Sequence, residues 1–213
     1  MPGMTAPAGR LDAGLVERMV AIRRDLHRHP ELSGLEERTV GVVAERLAAL
    51  GLRPRRVGDT GLVADVPSAD GALGPRIAFR ADMDALPIHE ETGLPFASRN
   101  AGVMHACGHD GHTSILLGAA EALVAEPPPS PVRLLFQPAE EIALGARALI
   151  DAGALDGVEQ VFGVHLDVFV ETGRLLVTPG PVNAALDNFR IRIVGEGAHA
   201  ARPHTGVDAV VAG

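Results

Sequence analysis

The sequence has no tryptophan and no tyrosine, and aromatic residues make up only 3% of its 213 positions. A stacking platform for bases or sugars is therefore not expected, and the core falls to Ala, Val, Leu and Ile. There is one cysteine, Cys107, which cannot close an internal disulfide and argues against a secreted, disulfide-stapled scaffold. No apolar run approaches the roughly 20 residues that a bilayer-spanning helix needs. No basic run tracks a helix or forms a tail, and the net charge is -8, so neither nucleic acid nor membrane is expected as a partner. Residues 1–10 are small and rich in Pro and Gly, without the basic-then-apolar order of a signal peptide. They read as a disordered lead-in to a cytoplasmic protein.

What is present is ample apolar material, 46% of the chain, arranged with period. Leu15, Met19, Ile22 and Leu26 recur at helical spacing and predict a helix over 12–28, closed by Pro30. Val40, Val43, Leu47 and Leu50 predict a second over 35–50, stopped at Gly51. Short apolar runs predict strands at 61–66, 76–79, 132–136 and 161–164, with helices at 110–125 and 144–151 between them. Strands alternating with helices indicate an α/β fold with a mostly parallel sheet. Farther on, 173–178 reads as a strand. Residues 188–194 alternate Phe189, Ile191 and Ile193 with Arg190 and Arg192, as in an antiparallel strand with one wet face. A domain boundary is expected near 181–185.

In open α/β sheets, sites form beyond the carboxyl ends of the strands. Three predicted strands end in residues able to bind metal: Asp82 and Asp84, then Glu140 and Glu141, then His165. The loop His105-Ala106-Cys107-Gly108-His109-Asp110-Gly111-His112 adds a thiol and several imidazoles. In an extended stretch Cys107 and His109 face one side, and Gly108 permits a tight path. A lone Cys or His would read as a buried packing residue, but four donors in eight residues with acidic partners elsewhere read as a metal site. Adjacent carboxylates diverge, so a division of labour is expected of Glu140 and Glu141, one on metal and the other a free general base. Asp84 is read as orienting a ligand from behind, and Asp82 is left open between ligand and support. His27 and His29 are explained by the dipole at a helix end.

Six segments carry a resemblance to a known family. They are residues 24–33 (Arg24 to Ser33), 80–88 (Arg80 to Ile88), 105–112, 137–141 (Gln137-Pro138-Ala139-Glu140-Glu141), 163–165 and 199–204. In this order they resemble the amidohydrolases that include hippurate hydrolase, N-acyl-amino-acid amidohydrolases and auxin-conjugate hydrolases, within the dinuclear metallopeptidases. The resemblance implies a three-layer catalytic domain over 1–182 and, from 183, the beginning of an inserted α/β lid that makes homodimers. It implies Cys107, His109, Glu141 and His165 as metal ligands, Glu140 as general base, Asp84 as supporting carboxylate and His199 as an oxyanion stabiliser. Two divalent ions are expected, Mn2+ or Zn2+ by donor type, with Co2+ and Ni2+ also compatible. The implied reaction is amide hydrolysis of N-acyl amino acids or small peptides.

Two departures stand out. Ile142-Ala143-Leu144 occupies a stretch after Glu141 that is commonly glycine-rich in the family. The family also continues beyond the position of Gly213, through the rest of the lid to a last histidine of the metal site. An incomplete, non-catalytic metal-binding chain and a related dinuclear carboxypeptidase or deacylase are the alternative readings.

Overall fold

The computed structural model describes residues 12–72, 74, 77–181 and 189–213. The expected lead-in at 1–10 and most of the expected boundary at 181–185 lie outside them. The described residues divide into two compact units, one ending at Val168 and the other starting at Phe169.

The first unit opens with α1 (Ala13–Arg28), whose Asp12 carboxylate caps the Leu15 N–H at 3.0 Å. Next come α2 (Glu37–Ala49), β1 (Arg55–Val57), β2 (Gly61–Val66), β3 (Ile77–Asp82) and α3 (His109–Ala125). The unit finishes with β4 (Val132–Gln137), α4 (Gly145–Asp151) and β5 (Gln160–Gly163). The strands order β1-β2-β4-β3-β5. β3 runs parallel to both β4 and β5, and β2 is antiparallel to its neighbours β1 and β4. All strands except β2 therefore point the same way, which is the mostly parallel sheet the alternating pattern predicts.

Both faces of the sheet are covered, giving three layers. On one face Leu62, Ala64, Val66, Leu134 and Phe136 pack with Ile22 and Leu26 of α1, Val40, Val43 and Leu47 of α2, and Leu116, Leu117 and Ala120 of α3. On the other, Val57, Val63, Ala78 and Leu135 meet Leu149 of α4 and Ala154. Neighbouring positions such as Leu134 and Leu135 divide between the two cores, as the two-residue period of a strand requires. Because β4, β3 and β5 are adjacent and parallel, their carboxyl ends share one edge of the sheet, and residues 82–84, 138–141 and 164–166 emerge there.

Some elements depart from the sequence pattern. β1 was not expected; its three residues exist as a strand because they pair with β2. α2 begins at Glu37 rather than at 35, and α3 begins one residue early, at His109. In the second unit the described residues hold an isolated bridge between Glu196 and Val207, a 3-10 turn at Pro203–Thr205 and a short α5 (Ala209–Ala212). The strands expected at 173–178 and 188–194 do not form among the described residues. Alternation assigns a face to each side chain but supplies no hydrogen-bonding partner, and a strand needs one. Residue 188 itself lies outside the described residues. Among those described, no helix is long and apolar enough to cross a membrane.

Candidate metal centre

α3 starts at the sheet edge with Gly108 as its N-cap in the left-handed region, φ 87°. The expected extended Cys107-Gly108-His109 geometry is thus replaced by a sharp turn into helix, which glycine adopts without steric penalty. The outcome for the donors is nonetheless convergence: those of Cys107, His109 and Glu141 lie within 4.8 Å of one another.

His109 is held from behind by Asp84. Its Nδ1 donates to the Asp84 carbonyl at 2.9 Å and lies 3.2 Å from Asp84 Oδ1. Asp84 Oδ2 accepts from Ser33 Oγ at 2.6 Å and from the Glu141 N–H at 3.0 Å. Burial opposes the charge on Asp84, but the bonds from His109, Ser33 and the Glu141 backbone outweigh it and hold its pKa down at about 2. Nε2 of His109 then faces outward, 3.8 Å from Glu141 Oε1, 4.0 Å from Glu140 Oε2 and 3.5 Å from Asp82 Oδ2. Burial works against a charged His109, yet its bond to Asp84 and the field of Asp82 raise its pKa.

Glu140 and Glu141 approach the same imidazole nitrogen because the backbone around them is bent. Ala139 and Ala143 have φ of 48° and 58°, the only positive values among the described non-glycine residues. Each costs roughly 1–2 kcal/mol. Gly145 closes the bend, and a Cβ there would lie 1.5 Å from the Pro138 carbonyl oxygen, so no other residue fits. The two carboxylates differ in exposure, 40% for Glu140 and 20% for Glu141.

The donor set fits a cation. Glu141 Oε1 is buried without a hydrogen-bond partner, and burial followed by repulsion from Glu140 and Asp84 raises its pKa. Burial, then Glu141 and Asp82, push the Cys107 thiol up to about 12. Each of these groups is disfavoured as an anion by its surroundings, and a divalent ion among them reverses every such effect.

A second trio, Asp82, His109 and His112, also brings donors within 4.8 Å. His112, however, is committed at both nitrogens. Its Nδ1 donates to Asp82 Oδ1 at 2.6 Å, and its Nε2 accepts the Leu166 N–H at 2.9 Å. No lone pair is left for a metal, so His112 works as a brace between β3 and the segment after β5. Asp82 is paired with His112 and, at 2.7 Å, with Arg80, which also donates to Gln137. Burial raises the pKa of Asp82, but the His112 bond and Arg80 lower it by more. Asp82 is thereby seen to support the brace. His112, counted in the sequence among the donors of its loop but given no separate role, lies three residues from His109 and so on the same helix face.

His165 is exposed, with its ring centroid 5.1 Å from that of His112; it is not part of either trio. His199 belongs to the second unit, where its Nδ1 accepts the Ala201 N–H at 3.1 Å. His29 fits its helix-end reading, Nδ1 donating to the Asp25 carbonyl. His27 does not. It is buried between Asp110 at 2.9 Å and Glu90 at 3.2 Å, and joins α1 to the start of α3 and to the loop after β3. The bond to Asp110 raises its pKa against the effect of burial.

Known proteins are similar to this chain in sequence and fold. Residues 78–211 match the family model described as peptidase family M20/M25/M40. The N-acetyl-L-cysteine deacetylase of Bacillus subtilis is 47% identical over 201 residues, 92% of this chain and 48% of that one. The N-acyl-L-amino acid amidohydrolase of Geobacillus stearothermophilus is 46% identical over 199 residues, 92% of this chain and 53% of that one. A Rhodococcus jostii chain carrying a glutamate–cysteine ligase name is 52% identical over 190 residues, 88% of this chain but 24% of that one. The crystal structure of the B. subtilis YXEP protein, described as a dinuclear metal binding peptidase from the M20 family, superposes with a TM-score of 0.69. It is 45% identical, over 73% of this chain and 44% of that one. The chain spans about half the length of the two B. subtilis and G. stearothermophilus enzymes. With a family model covering most of the chain and relatives of this identity, the chain belongs to peptidase family M20/M25/M40.

Proposed function

We propose that this chain carries the metal centre of an N-acyl-amino-acid amidohydrolase, which cleaves the amide bond of N-acyl amino acids or related small peptides. The observation that carries this reading is the convergence of Cys107, His109 and Glu141, with Asp84 fixing both the His109 ring and the Glu141 backbone. The two relatives named for deacetylation and for N-acyl amino acids support the substrate class.

In this reading Cys107, His109, Glu141 and His165 hold two divalent ions, Mn2+ or Zn2+. When bound, such ions polarise the acyl carbonyl and make water more acidic. Glu140, the more exposed carboxylate, takes the proton of the attacking water and returns it to the leaving amine. Asp84 keeps His109 in the tautomer whose Nε2 faces the donors. His199 is assigned, on family resemblance, a hydrogen bond to the developing oxyanion. We also assign 1–182 to the catalytic domain and 183–213 to a lid that dimerises, and the cytoplasm as the location.

The test is hydrolysis of N-acetyl and N-benzoyl amino acids by the Mn2+- or Zn2+-loaded protein, beside Glu140→Gln. Turnover lost in Glu140→Gln with metal content unchanged is the expected result. Equal rates in the two proteins would remove Glu140 from its role, and metal uptake unaffected by Cys107→Ala would remove the site.

A further inference from the structure

Residues 30–36, joining α1 to α2, are remote in sequence from the donor loops, yet several of their hydrogen bonds end on them. The Glu31 carbonyl accepts the Ala85 N–H at 2.8 Å, and Ser33 Oγ reaches Asp84. Glu36 goes farthest. Its side chain is fully buried, with Oε1 accepting the Ala139 N–H at 2.8 Å and the Gly34 N–H at 3.0 Å, and Oε2 accepting from Thr60 Oγ1 at 2.6 Å.

Glu36 sits at the N-cap of α2 but makes no capping bond to it. That service comes from Glu31, whose two oxygens accept the N–H groups of Arg38 and Thr39 at 2.9 and 2.7 Å. The buried carboxylate of Glu36 is thus spent on a residue 103 positions away. Ala139, its partner, is the strained residue directly before Glu140 and Glu141, and strain of this kind persists where surrounding contacts over-determine the backbone. The Ala139 carbonyl, on the other side of the residue, accepts from Leu144 and Gly145 at 3.2 Å each.

We propose that Glu36 is a positioning residue of the metal centre: by pinning the Ala139 N–H it holds the bend that turns Glu140 and Glu141 toward Nε2 of His109. The inference rests on the reading of Glu141 as ligand and Glu140 as base. Glu36→Gln keeps length and volume but sets an amide NH2 against one of the donors that now converge on the carboxylate.

The test is Co2+ titration of the whole chain, followed by the thiolate-to-cobalt absorption of Cys107, with thermal unfolding in chelator measured alongside. Glu36→Gln is expected to weaken Co2+ binding about 10- to 100-fold. Thr60→Val, which leaves the Ala139 bond in place, is expected to lower thermal stability while Co2+ affinity stays within about 3-fold, far less than the change expected for disturbed ligand support. Glu36→Gln that melts early but binds Co2+ as the parent does would make Glu36 a purely structural residue and overturn the proposal. Amide exchange of the unaltered protein decides the matter even if Glu36→Gln does not fold. The Ala139 amide must exchange far more slowly than that of its exposed neighbour Ile142, and equal rates would refute the pinning. Cys107→Ala separates the two levels. If it leaves Co2+ binding intact, the metal site and this inference fall together; if it abolishes binding while Glu36→Gln does not weaken it, only the inference falls.

Discussion

His109 and His112 lie three residues apart on α3, their ring centroids 5.4 Å apart and both almost wholly buried. Each turns Nδ1 to an aspartate at the end of β3, Asp84 for the first and Asp82 for the second. They differ at Nε2. That of His112 is occupied by a backbone N–H of the segment after β5, whereas that of His109 looks onto Asp82 at the end of β3 and onto Glu140 and Glu141 of the loop after β4, at 3.5 to 4.0 Å. A buried imidazole with both nitrogens satisfied is a structural brace, and one whose second nitrogen makes no close hydrogen bond beside several carboxylates has the geometry our proposal asks of a metal ligand. The aspartate behind the ring is common to both, so it does not by itself identify a metal site.

The contrast can be broken most directly by truncating each ring. His109→Ala is expected to cost more than 100-fold in Zn2+ or Co2+ affinity, beyond what loss of a supporting residue costs. His112→Ala is expected instead to lower stability by about 2–3 kcal/mol in urea unfolding, since it leaves Asp82 and the Leu166 N–H without their buried partner. If His112→Ala lost metal as severely as His109→Ala with stability intact, the two histidines would share one role.

Asp84 sharpens the comparison through pH. Its folded pKa, about 2, lies below the ordinary 3.8. The stability it contributes is therefore fully present above pH 3.8 and is lost as pH falls through about 2. The shift corresponds to about 2 kcal/mol. Acid unfolding in chelator should show that loss over this window, and Asp84→Asn should flatten it. An unchanged acid limb in Asp84→Asn would mean that His109 is not held by this carboxylate.

The smallest effect concerns the bend that carries the carboxylates. Ala143→Gly removes the left-handed strain at φ 58° and is expected to raise stability by about 0.5–1 kcal/mol. Metal affinity should change little if Asp84 and the Ala139 link hold the bend. A fall in stability, read by urea titration, would show that Ala143 is held by packing rather than tolerated.

Much of the first unit was legible because its signals are local. The heptad-like stripe of α1 and the apolar runs of β2 and β4 name buried faces without reference to any partner. Asp84 and Glu141 stood just past two of the predicted strands and Cys107 and His109 in the loop before a helix. These residues could therefore be named as candidates, with the family resemblance supplying their roles, before their convergence was known; His165, named with them, lies outside the trio. β1 was illegible because two of its three residues, Arg55 and Arg56, are exposed arginines whose strand state depends on pairing with β2. The alternating residues 189–194 failed in the opposite sense, with a good pattern and no ladder among the described residues. His27 looked like a helix-end residue because its partners, Glu90 and Asp110, lie 63 and 83 positions away.

By itself the sequence determined which residue types stand just past the strands and in the loop before α3, and therefore which thiol, imidazoles and carboxylates were available to a site at one edge of a mostly parallel sheet. Only the tertiary structure decided how they divide: His109 open and His112 closed, Asp84 behind the open ring and Asp82 behind the closed one, Glu36 spent on Ala139 rather than on its own helix. The physical reason is range. Burial and backbone preference are properties of a residue and its near neighbours, but whether a nitrogen or an oxygen is free depends on what the rest of the chain brings to it.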